Sequence, residues 1–87
     1  MNMNTISLDR LPAGEEGVIE SVNVGRDLQQ RIEDLGFLPG ATVKTVMRSA
    51  AGDPTAYGIR DTVIALRRWD AEKIYINTGK ESLHERD

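Results

Sequence analysis

The residues with chemistry to offer are few, and their placement argues against catalysis. The single histidine, His84, stands in TGKESLHERD, the polar run that ends the sequence, without the positioned partner that acid–base catalysis needs. There is no cysteine, so thiolate nucleophiles, thiolate metal ligands and disulfides are all excluded. None of the serines sits in a recognisable nucleophile setting. The paired acids Glu15-Glu16 and Glu33-Asp34 lack a spacing that selects a metal. Asp53 and Asp61 could approach one another across neighbouring strands, but two carboxylates without further ligands discriminate poorly among cations. The glycines are scattered between elements rather than gathered before a helix, so no phosphate cradle is expected. The sequence therefore predicts no catalytic residue, no cofactor and no metal site.

What remains is chemistry suited to contact. Arg48, Arg60, Arg67 and Arg68 could gather on one exterior and meet an acidic surface, and Trp69 and Tyr75 could anchor a partner. Scattered surface arginines are the simpler alternative. The net charge of -3 argues against generic attraction to nucleic acid.

These side chains must be positioned by short elements. Ile6, Leu8 and Leu11 form an apolar lead-in, and Pro12 and Gly14 turn the chain. GVIESVNV, residues 17–24, alternates imperfectly and predicts a curved strand. RDLQQRIEDL, residues 26–35, carries Leu28, Ile32 and Leu35 on one helical stripe, about three turns that depend on packing. ATVKTVMRS predicts a strand with Val43, Thr45 and Met47 on one side. AAGDPTAYG, residues 50–58, reads as a long turn, IRDTVIALRR as one strand, WDAEK as a tight or short helical turn, and IYI, residues 74–76, as the last strand.

The stretch RIEDLGFLPGATVKTV changes period in its middle, from helix to strand. Gly36 follows the helical stripe where a left-handed residue would satisfy the final carbonyls, letting Phe37 fold back toward Ile32. Pro39-Gly40 then supplies the turn into the strand.

With 87 residues the chain suits one domain with one modest, mainly aliphatic core. No apolar stretch approaches the roughly 20 residues of a membrane helix, and MNMNTISLD lacks the features of an export signal. A cytoplasmic protein without membrane insertion is expected. Short strands between Gly/Pro turns, with one inserted helix, predict a mainly β fold, a small antiparallel barrel.

The sequence resembles the FeoA family in LPAGEEGVI, RIEDLGFLPGATV and VIALRRWDAEKIYI, with AGDPTAYG between the last two. The resemblance implies an SH3-like barrel, assigned here to residues 6–77, while the polar composition of 1–5 and 78–87 reads as flexible ends. Gly14 and Gly17 match the family's first turn, and Leu35, Gly36, Pro39 and Gly40 its helix exit. Ala65, Leu66, Arg67, Arg68 and Ala71 match its approach to the final strand, while Trp69 and Asp70 depart from it. The implied role is auxiliary and not enzymatic. It is support or regulation of ferrous-iron uptake by contact with the cytoplasmic region of the membrane protein FeoB, at the cytoplasmic face of the inner membrane. The family is also associated with transition-metal binding, to which these residues lend no independent support. An RNA-binding barrel, a peptide-binding adaptor and a metal-responsive regulatory domain are the alternatives. For a protein partner, Leu28, Phe37 and Trp69 are the candidate apolar anchors, with Arg67 or Arg68 supplying charge.

Overall fold

A computed structural model of the chain describes residues 4–79. Strand β1 (Thr5–Ser7) leads into a single 3-10 turn, Leu8–Arg10, and then β2 (Glu16–Val22). Helix α1 (Arg26–Asp34), β3 (Thr42–Arg48), β4 (Thr55–Ile59), β5 (Thr62–Leu66), the one-turn α2 (Arg68–Ala71) and β6 (Ile74–Asn77) follow. The six strands form one antiparallel sheet in the order β1-β6-β2-β3-β4-β5.

Two register shifts bend this sheet, one between Ile19 and Ser21 and one between Thr45 and Met47. The first explains the imperfect alternation of β2: Ile19 and Val22, three residues apart, are both buried. The second overturns the expected face of β3. Val43 and Thr45 point inward, but the extra residue throws Met47 out to 61% exposure beside Val46.

The core lies in the concave side of the sheet. Val43, Tyr57, Ile59, Ile74 and Ile76 meet Leu8 and Leu11 from the N-terminal segment, Ile32 and Phe37 from α1 and its exit, and Ala71 from α2. Burial pushes the Tyr57 phenol above its ordinary value, an effect opposed by the Arg48 cation.

The exit of α1 forms as the sequence predicts. Gly36, at φ +113, donates its N–H to the Glu33 carbonyl at 3.0 Å, and Phe37 donates to Ile32 at 2.9 Å. This pair of bonds closes the helix and carries Phe37 into the core beside Ile32.

Three expectations about the chain's course are corrected. Residues 55–58 belong to β4 rather than to a long turn, and IRDTVIALRR is not one strand. A two-residue turn at Arg60 and Asp61 divides it, with Arg60 left-handed at φ 53. Thr5, assigned to a loose end, pairs with Asn77 in β6.

Candidate partner-binding surface

The sheet's convex side carries an apolar surface created by register. Ala56 and Gly58 alternate outward from the buried Thr55, Tyr57 and Ile59. Met47, Ala56 and Ala65 lie side by side across β3, β4 and β5, and Gly58 lies between Lys44 and Val63. Small residues in the centre leave a depression of about 220 Å³ lined by Met47, Ser49, Pro54, Ala56 and Ala65. Val46, Met47 and Val63 around it are all exposed. A contiguous apolar surface of this kind suits contact with another macromolecule.

At the end of β5 the chain turns into α2, and Asp53 organises that turn. Its Oδ1 accepts the backbone N–H of Arg68 at 2.8 Å, while Oδ2 lies 3.9 Å from the Arg67 guanidinium. That ion pair is exposed and adds little stability. Arg67 also stands 6.0 Å from the centre of the Trp69 ring, which is 61% exposed. A planar cation and a large exposed ring thus flank the apolar depression.

A second cleft runs along the other side of β5. It measures about 300 Å³ and is lined by Leu28, Arg31, Ile32 and Leu35 of α1 and its exit, and by Ile64, Ala65 and Leu66. Ala65 borders both clefts.

The candidate anchors therefore separate. Arg67, Arg68 and Trp69 come together at the head of α2, and Leu28 sits half-buried in the cleft beside α1. Phe37 has no exposed surface and so cannot be touched by a partner. Its side chain is spent on the core contact with the end of α1. Val46, Met47 and Val63 are absent from the sequence candidates; the register shift that exposes Met47 leaves no mark in the residue pattern.

The arginines do not form one cluster. Arg48 is drawn inward, donating from Nη2 to the carbonyls of Asp9 and Leu11 at 2.9 and 3.1 Å and from Nη1 to the Thr55 hydroxyl at 3.2 Å. Arg60 stands at the opposite end of β5 from Arg67 and Arg68. The proposed approach of Asp53 and Asp61 fails for the same reason, since they flank the two ends of the β4–β5 hairpin. Among the described residues no group of three or more His, Asp or Glu is placed to hold a metal ion. His84 lies outside them.

The model of the FeoA domain matches residues 6–78. The chain belongs to the FeoA family. It is 36% identical over 69 residues to an Fe(2+) transport protein A/Fe(2+) transporter FeoB fusion protein of Porphyromonas gingivalis, an alignment covering 79% of this chain. The chain spans only 8% of that relative's length. Among solved structures, the FeoA protein of Chlorobium tepidum superposes with a TM-score of 0.81 at 29% identity, covering 84% of this chain and 70% of the other. Stenotrophomonas maltophilia FeoA complexed with zinc, described as a procaryotic SH3 domain protein, gives 0.73 at 29% identity, covering 83% and 89%. The SH3-like architecture expected from the resemblance is the one found.

Within this FeoA domain the glycines of the first motif have different tasks. Gly14, at φ +89, occupies the turn before β2. Gly17 lies inside β2, where a Cβ would meet Ile76 Cδ1 at 2.7 Å.

Proposed function

We propose that this FeoA domain is an accessory or regulatory protein for ferrous-iron uptake, acting by contact with the cytoplasmic region of a FeoB-type transporter. The observation that carries the reading is the fusion relative, whose name joins an Fe(2+) transport protein A to the transporter FeoB in one polypeptide. Linkage of two modules raises their effective concentration toward one another, which serves a domain that works by touching the transporter. The convex apolar surface with its Arg67–Trp69 flank supplies a means of contact. No helix among the described residues is long and apolar enough to cross a membrane. Ferrous iron is the transporter's cargo, and the domain neither turns over a substrate nor holds the ion tightly.

Co-purification with the full transporter in several nucleotide and iron states tests the proposal. A specific complex in at least one state is expected, and absence of binding in all of them overturns it. RNA recovered with the chain instead would favour the small-barrel RNA-binding alternative. Anaerobic calorimetry with ferrous iron should show no submicromolar stoichiometric site.

A further inference from the structure

We infer that Met47 is a reversible oxidation site, at which a peroxide turns the apolar depression of the convex side into a polar one. Dilute peroxide attacks thiols and thioethers in preference to other side chains. The chain has no cysteine and three methionines, and Met47 is the only methionine among the described residues. The register shift between Thr45 and Met47 takes it off the buried face shared by Val43 and Thr45 and leaves it 61% exposed. Its neighbours in the same row of β4 and β5 are Ala56 and Ala65, whose single methyl groups leave the longer thioether standing clear.

The step is a two-electron oxygen transfer. The sulfur lone pair attacks one oxygen of hydrogen peroxide, the O–O bond breaks as the S–O bond forms, and the proton of the transferred oxygen passes to the departing hydroxide, which leaves as water. The thioether is oxidised to a sulfoxide and the peroxide is reduced. A methionine sulfoxide reductase reverses it, two thiols of the enzyme going to a disulfide while the oxygen leaves as water. Position gives the change its consequence. The depression is lined by Met47, Ser49, Pro54, Ala56 and Ala65, among which Ser49 alone has a side-chain hydrogen-bond donor. Arg48, the next residue, donates its guanidinium N–H groups to Asp9, Leu11 and Thr55 instead. A thioether in this lining can be covered by an apolar group at no polar cost, whereas a sulfoxide oxygen loses the water that satisfies it.

The site itself stands on the fold, and only its effect on a partner rests on the transporter reading. Ferrous iron and peroxide react together to give hydroxyl radical, which makes peroxide a signal that bears on this cargo. The test treats the full chain with dilute hydrogen peroxide, removes the excess with catalase, and locates the added oxygen by peptide mass mapping. Met47 should oxidise within about threefold of the rate of free methionine, as an exposed thioether does. The urea unfolding midpoint should not move, since the side chain lies outside the core. The oxidised chain should leave a phenyl column earlier, and sulfoxide reductase should restore its retention. Met47→Leu keeps Met1 and Met3 and so measures their share of any change; its retention should respond far less. Met47→Gln, which installs a polar group without peroxide, should elute early. Transporter capture should weaken roughly tenfold for the oxidised chain and for Met47→Gln, and should survive peroxide in Met47→Leu. Slow oxidation at Met47, unfolding on oxidation, or an equal loss of retention in Met47→Leu overturns the assignment. If the untreated chain captures the transporter and the oxidised chain captures it equally well, the redox effect is wrong and the transporter reading stands. If the untreated chain fails to capture it, that reading falls while rate, retention and reversal still decide the oxidation site.

Discussion

The two edges of the sheet are built differently. Strand β1 has three residues, all half-buried, and its hydroxyls are occupied: Thr5 donates to Glu20 Oε1 at 2.9 Å and Ser7 donates to Asp9 Oδ1. The chain then drops at once into the core through Leu8 and Leu11, and Arg48 holds this lead-in by its backbone carbonyls. Strand β5 is longer, wholly uncharged and open on its outer side, with Val63 and Ala65 exposed. Brevity and polar pairing protect one edge against unwanted strand addition; the other keeps an accessible ladder. The contrast separates side chains that hold the domain together from those available to a partner.

The largest test of that separation is Phe37→Ala. Emptying a fully buried aromatic site should cost about 3–5 kcal/mol in urea unfolding. If stability were hardly changed while transporter binding vanished, Phe37 would belong with the contact surface after all. Next in size is Arg48→Ala, which leaves the carbonyls of Asp9 and Leu11 without their cationic donor. A loss of about 2–3 kcal/mol is expected, together with faster amide exchange in β1. Unchanged exchange there would mean that the quiet edge is held by packing alone.

Gly36→Val should cost about 1–2 kcal/mol, because a β-branched residue resists positive φ. A Cβ at this site would also lie 3.2 Å from the Arg60 side chain, near enough to require that flexible arm to move. Unchanged thermal unfolding with lost binding would move Gly36 from the frame to the contact surface. The smallest expected effect on folding is that of Trp69→Ala, within about 0.5 kcal/mol for a largely exposed ring. Binding to the transporter should nevertheless weaken, and Arg67→Ala should do the same with a steeper response to salt. If Trp69→Ala destabilises the domain as Phe37→Ala does, the division between frame and contact surface is misplaced.

How much of this was legible in the sequence depended on whether local pattern or distant packing decides a residue's place. The exit of α1 was legible, because the apolar stripe, Gly36 and the returning Phe37 lie within ten consecutive residues and their bonds are local. The β4–β5 hairpin was not. Its turn is Arg60–Asp61, without the Asn-Gly or Asp-Gly signal that usually supplies positive φ, so Ile59 reads as the start of β5 and the rest of β4 as part of a long turn. The faces of β2 and β3 were hidden by register shifts, which are set by the partner strand. For the contact surface, the joint position of Arg67, Arg68 and Trp69 followed from their adjacency. The separation of Arg48 and Arg60 from them required the fold.

The close approach of β2 to β6 has a consequence for how such sequences can drift. At Gly17 a methyl group would collide with Ile76 Cδ1 at 2.7 Å, while Asn77 O and Ile76 Cβ both stand at 3.3 Å. The size of residue 17 is therefore limited by a residue about sixty positions later, and residue 17 cannot gain bulk while that side chain keeps its length and place. Ile76→Val removes the offending methyl, so an alanine at 17 should be accepted more readily in that background than in this one. Across related chains the two positions should exchange bulk as a pair, a covariation between one edge of the first motif and the last strand that ties the two ends of the domain into one evolutionary unit.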